Sequence, residues 1–136
     1  MALLQPAALV MVPGPGGTWL TVTRPEPPHE AAIPGGLVEG GERPEEAAVR
    51  ELHEETGVVA THVERVGIGE QDGRLVHVFL ARRWQGTPWS AEARAGDPGG
   101  RVAWKTWPQL RAWAPRFGGF LDGVASGYRA RYGTSP

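Results

Sequence analysis

The run Gly36-Leu-Val-Glu-Gly-Gly-Glu42-Arg-Pro44-Glu-Glu-Ala-Ala-Val-Arg50-Glu51-Leu52-His-Glu54-Glu55-Thr-Gly57-Val58 carries its own start and stop signals for a helix. Pro44 suits the first helical position, where its missing N–H would be unpaired in any case. Gly57 suits the residue just past the end, where φ is positive. The residues between them predict a helix about 20 Å long at 1.5 Å rise per residue. Glu51, Glu54 and Glu55 share one narrow sector of it through the i, i+3, i+4 relation. Ala48, Val49, Leu52 and Thr56 form a neighbouring face that can pack on a core. Carboxylates crowded on one turn repel one another, and the helix dipole disfavours them in a last turn. A solvated acidic face is the default for an arbitrary Glu-rich helix. Here, however, Pro34-Gly35-Gly36 precedes it, a turn whose backbone can come close to a ligand. The pattern points to a bound cation, and oxygen-only donors select a hard ion, Mg²⁺ or Mn²⁺, over Zn²⁺.

The same stretch resembles the Nudix box at every fixed position: Gly36, Glu42, Arg50-Glu51, an aliphatic at Leu52, Glu54-Glu55, Gly57 and an aliphatic at Val58. From average residue frequencies, a chance match at a given start is on the order of 10⁻⁹. The resemblance implies an α/β fold, a Nudix-type α/β/α sandwich with a mixed β-sheet, spanning residues 1–136 as one domain. It implies a metal-dependent pyrophosphohydrolase that cleaves a diphosphate linkage in a nucleoside diphosphate derivative. Glu54 and Glu55 are then the principal metal ligands, with the Gly36 carbonyl beside them. Glu51 is a ligand or the general base, oriented by Arg50, and Glu42 reaches a second metal or a water-bridged shell. Arg50 has Glu46 and Glu54 at i−4 and i+4 and can hold the array in place.

Length and composition agree with one soluble domain. A chain of 136 residues buries about two-thirds of its extended surface on folding. Lys+Arg number 14 against 15 Asp+Glu, which gives no polyanion-binding surface and argues against a nucleic-acid polymer as partner. There is no cysteine, hence no disulfide framework and no thiolate metal site. The apolar start lacks a basic flank and reads as a first strand, not a signal peptide. No run approaches the roughly 20 apolar residues that span a bilayer, so no membrane partner is expected and a cytoplasmic location is the default. Dimerisation is common among similar proteins, and no residue decides for or against a homodimer.

Along the chain, residues 7–12 and 18–23 are β-prone runs joined by Pro13-Gly-Pro-Gly-Gly17, which reads as a hairpin with a longer loop. Arg24 ends the second run. The resemblance makes it a candidate substrate or phosphate contact, the other reading being a surface arginine that ends a strand. His29, in the proline-rich loop after it, reads as solvated. Arg43 is a poor helix N-cap, but Glu46 can bond back to its backbone. Residues 58–67 and 75–83 are strands around a Gln71-Asp-Gly73 turn. His77 on the second strand is a candidate cleft residue, although a hydrogen-bonded sheet histidine is the better reading.

Residues 85–100 form a Gly/Pro-rich loop of a length that is often functional. Similar proteins place a further acidic group just before a strand like Arg101-Val-Ala-Trp104. Gly99 and Gly100 leave that position vacant here, and Glu92 is favoured over Asp97 for the role. A short helix from Trp107 and a helix over 117–132 complete the chain. The marker Tyr or Pro that some related hydrolases carry downstream of the box is absent at Arg74, Leu75 and their neighbours. A compact, MutT-like hydrolase of nucleoside triphosphates is the first choice, followed by nucleotide-sugar (ADP-ribose type) or dinucleoside polyphosphate hydrolysis. A non-catalytic nucleotide-sensing domain is the alternative of another class. Such domains usually lose box carboxylates, and none is lost here.

Overall fold

The computed structural model describes residues 4–24, 26–89 and 102–136. Strands β1 (Ala7–Met11), β2 (Trp19–Thr23), β3 (Ala31–Ala32) and β4 (Gly35–Leu37) precede helix α1 (Pro44–Thr56). Strands β5 (Val59–Gln71), β6 (Arg74–Gln85) and β7 (Val102–Lys105) follow, then helices α2 (Trp107–Ala112) and α3 (Gly118–Tyr132). They form a mixed four-stranded sheet, order β4-β1-β6-β5, and a three-stranded sheet, order β3-β2-β7.

The mixed character comes from β1 and β6, which run parallel with Ala8 opposite His77 and Val10 opposite Phe79, while β4 and β5 pair antiparallel on either side. Both faces of this sheet are covered, so its inner strands are apolar on both sides. Ala47, Ala48 and Leu52 of α1 pack on one face against Ala8, Val10, Phe79 and Ala81. Val76, Val78 and Leu80 face the other way, onto Leu110 of α2 and Leu121 and Val124 of α3. The α/β/α layering expected of the chain is therefore present. Trp19 closes the second core edge-on against Trp107 and Tyr128, at centroid distances of 6.5 and 5.6 Å.

Three details differ from the sequence reading. The runs at 7–12 and 18–23 are not a hairpin within one sheet. They join different sheets and touch through an isolated Pro13–Trp19 bridge and the Leu20 N–H bond to the Val12 carbonyl. Pro13 and Pro15 lack the N–H groups that would continue a ladder, and residues Pro15–Gly17 take a 3-10 turn instead. The glycines before the box are also more than a turn: Gly35–Leu37 pairs antiparallel with β1 as an edge strand. Finally, β5 and β6 run 13 and 12 residues, well past the expected ends. They are joined by Asp72 and Gly73, whose φ values of 54° and 78° suit a two-residue hairpin turn. Among the described residues no helix is long and apolar enough to cross a membrane.

Candidate active site

Helix α1 is built as its sequence suggests. The Arg43 N–H donates to Glu46 Oε1 at 3.0 Å, which supplies the reciprocal half of an N-cap that Arg43 itself cannot provide. At the other end Gly57 takes φ 80° and its N–H returns to the His53 carbonyl at 2.9 Å. The edge strand β4 lies along the helix and meets its acidic face directly. The Gly35 N–H donates to Glu55 Oε1 at 2.8 Å. A Cβ on Gly36 would sit 2.5 Å from the Glu51 carboxyl carbon, so only glycine lets that carboxylate lie against the backbone there.

Arg50 ties the remaining carboxylates together. Its Nε donates to Glu42 Oε2 at 2.7 Å and its Nη2 to Glu42 Oε1 at 3.1 Å, a two-point fork. Its Nη1 reaches Glu51 at 3.0 Å and Glu54 at 3.2 Å, and Nη2 also caps the Leu37 carbonyl at 3.2 Å. Glu46 is not one of its partners, as the i−4 spacing suggested. That side chain is held at the helix start by Arg43, and Glu42 takes its place from the loop. The Arg50 fork, with the Glu39 N–H, holds the Glu42 carboxyl below the ordinary glutamate range. Hydrogen bonds to Glu42, Glu51 and Glu54 push the Arg50 guanidinium still further toward its charged form.

Among the described residues no three acidic or imidazole side chains converge closely enough to enclose an ion as they stand. The donor set nevertheless fits a hard divalent cation. Glu42, Glu51 and Glu54 gather around one guanidinium, Glu55 is held by the Gly35 N–H, all their donors are oxygen, and the bare Gly36 backbone adjoins Glu51.

Glu55 and Gly36 line one end of a cleft. The cavity there measures about 480 Å³, and an adjoining one measures about 310 Å³. The two share Ala7, Leu9, Arg24, Ala32, Ile33 and Arg74 as walls. The second cavity ends in Leu110, Ala114, Phe117, Phe120 and Leu121, so the cleft is acidic at one end and apolar at the other. Arg24 thus stands in the cleft wall, where its guanidinium lies 5.0 Å from the Phe117 ring centre. His77 does not line either cavity. It faces the α1 side of the sheet, 2.8 Å from Arg65, and burial followed by that neighbouring charge lowers its basicity. His29 holds φ 58° beside the Arg24 carbonyl, 3.3 Å away. Glu92 and Asp97 lie outside the described residues.

Sequence reasoning missed Arg74, Arg116, Phe117 and Phe120 as cleft residues. The Asp72-Gly73 turn signal located the hairpin tip that carries Arg74, but only the pairing of β6 with β1 brings it to the cleft.

A model of the NUDIX domain matches residues 3–120. The chain is 41% identical over 73 residues to the 8-oxo-dGTP diphosphatase of Escherichia coli (strain K12), a match covering 51% of this chain and 57% of that protein. It spans about half the length of the curated relatives it matches. Among solved structures, a MutT from a study of Aliivibrio salmonicida and Vibrio cholerae superposes with a TM-score of 0.70 at 21% identity, covering 90% of this chain and 97% of that one. The E. coli ORF135 protein superposes with a TM-score of 0.69 at 26% identity, covering 97% and 96%.

Proposed function

This chain belongs to the NUDIX domain family, and from that premise we propose that it is a divalent-metal-dependent pyrophosphohydrolase acting on nucleoside triphosphates, with residues 1–136 as its single domain. One observation carries this reading: Glu55 of the carboxylate array and a largely apolar cavity lie at opposite ends of one cleft, with arginines along the wall between them. A triphosphate and its base need two such environments. The relatives named for 8-oxo-dGTP and for oxidised purine triphosphates support the same substrate class.

In the reaction, water adds across the α–β anhydride bond and a nucleoside monophosphate and pyrophosphate leave. Mg²⁺ or Mn²⁺, when bound, neutralises charge on the phosphoryl oxygens and makes water more acidic. We assign Glu54, Glu55, Glu42 and the Gly36 carbonyl to holding the ion, and Glu51 either to that shell or to accepting the proton from water. The Gly35 N–H presents Glu55 by fixing one of its oxygens. Arg50 keeps Glu51 in register with Glu42 and prevents the array from splaying under its own repulsion. Arg24, on the wall common to both cavities, is placed to meet phosphate oxygens.

The test is a panel of canonical and oxidised nucleoside triphosphates, ADP-ribose and dinucleoside polyphosphates with Mg²⁺ or Mn²⁺, with monophosphate and pyrophosphate measured. Stoichiometric release of the two from triphosphates is expected. Turnover confined to ADP-ribose or to dinucleoside polyphosphates would reject the substrate class, and no turnover of any of them would reject catalysis.

A further inference from the structure

Glu30 is the most unusual charged residue outside the box. It is 4% exposed, and its Oε1 forms an ion pair with Arg116, 3.2 Å from Nε. Its Oε2 is buried and has no hydrogen-bond partner among the described residues. Leaving a carboxylate oxygen desolvated and unmatched is unfavourable, and such groups persist where something other than stability keeps them.

The surroundings of Glu30 suggest what that is. Its backbone carbonyl accepts the Arg24 N–H at 2.9 Å, so this one residue fixes Arg24 through its main chain and Arg116 through its side chain. The two guanidiniums lie 5.0 and 4.6 Å from the centre of the same Phe117 ring. Both line the apolar cavity, and Arg116, unlike Arg24, is confined to it and does not reach the Glu55 end. Because Glu30 engages Arg116 through Nε, the terminal guanidinium nitrogens stay uncommitted. Among the described residues Arg116 makes no hydrogen bond and no other ion pair. Arg24 and Arg74 line both cavities, whereas Arg116 and Asp72 line only the one away from the Glu55 end, and no ion pair between Arg116 and Asp72 is present among the described residues. Phosphates belong at the opposite end, so the acceptor for Arg116 lies on the base.

The geometry points to a specificity pair: Glu30 is a positioning residue that holds Arg116 by Nε, and Arg116 is a specificity-determining residue that donates to a carbonyl oxygen of the substrate base. An oxo-purine offers such an oxygen and adenine offers an amino group in its place. This deepens the proposed function and rests on its placement of the base in the apolar cavity.

Binding separates the pair from catalysis. The full chain and its variants are titrated calorimetrically with GMP and with AMP in chelator, so no turnover is required. The parent is expected to favour GMP by about tenfold or more, the scale of one hydrogen bond to a charged group. Arg116→Ala should weaken GMP by about tenfold to a hundredfold and leave AMP nearly unchanged. Arg116→Lys should recover only part, because it keeps the charge and loses the fork. Glu30→Gln should weaken GMP in the same direction, and Glu30→Gln combined with Arg116→Ala should be no worse than Arg116→Ala alone. Equal loss for both nucleotides in Arg116→Ala, no loss, or a parent that binds neither or shows no preference overturns the proposal. Should Glu30→Gln fail to fold, the two Arg116 variants decide it. A GMP preference without any triphosphate hydrolysis would instead refute the proposed function and leave the pair standing.

Discussion

Replacing Arg50 with glutamine tests the central device of the site, because it removes the cation and leaves the carboxylates in place. The Arg50 side chain is 26% exposed and forks onto Glu42, reaches Glu51 and caps the Leu37 carbonyl. Its bond to Glu54 counts for little, since that carboxylate is 56% exposed and screened by water. Charge-assisted bonds at this level of burial, discounted for partial exposure, put the loss at about 2–3 kcal/mol. For a chain of 136 residues that is a drop in melting temperature of roughly 6–15 °C.

The loss should depend on pH. Glu42 has its folded-state pKa lowered from the ordinary 4.5, chiefly by Arg50. A depressed carboxylate contributes stability that is fully present above the unfolded value and is lost as pH falls through the folded one. In Arg50→Gln that contribution is missing, so parent and variant should differ most near neutrality and converge as pH falls below 4.5. The assay is thermal melting by circular dichroism in chelator, at neutral pH and at a series of acid values. Adding Mg²⁺ should raise the variant's Tm by more than the parent's, since the ion replaces the missing charge. A variant that melts within about 1 °C of the parent at neutral pH in chelator would show that Arg50 does not hold the array.

Activity should require Mg²⁺ or Mn²⁺ and disappear in chelator, with Ca²⁺ supporting little turnover because it is larger and less strict in geometry; full activity after verified metal removal contradicts the assignment. Gly36→Ala should cut kcat by about a hundredfold or more, because the new Cβ would fall 2.5 Å from the Glu51 carboxyl carbon and drive it from its place; its Tm should fall by a few degrees at most, the site being at a sheet edge, and near-parental kcat would show that Glu51 has no fixed role. Glu92→Gln should lower kcat strongly with little change in KM, as for a group acting in the transition state, while Asp97→Asn should be nearly silent; the reverse pattern moves the role to Asp97, and two silent variants leave Glu51 as the base.

The box helix could be read from the chain because its signals are short-range. Pro44, Gly57 and the i, i+3, i+4 spacing of Glu51, Glu54 and Glu55 act through backbone geometry within a few turns. The Asp72-Gly73 turn was legible for the same reason. Even inside the box, spacing misled once: Glu46 stands one turn from Arg50, yet the loop residue Glu42 takes the guanidinium and Arg43 takes Glu46. Which partner wins depends on where the loop folds back, not on helical periodicity.

Beyond Arg24, Gly36 and Glu55, the walls of the cleft were not legible. The division of β1 and β2 between two sheets, and the parallel pairing of β1 with β6, bring Ala7, Leu9 and Val76 under residues from the α2–α3 connection. Phe117 reads in sequence as a helix start, and Glu30 as one more charge in a proline-rich loop. What makes them a wall and a buried anchor is the meeting of segments far apart in the chain. Sequence determined the family and the acidic face of the box helix, since local backbone preferences and fixed residue spacings encode both. Only tertiary structure decided what faces that end across the cleft, because contacts between distant segments follow from packing both sheet faces and leave no local periodicity to read.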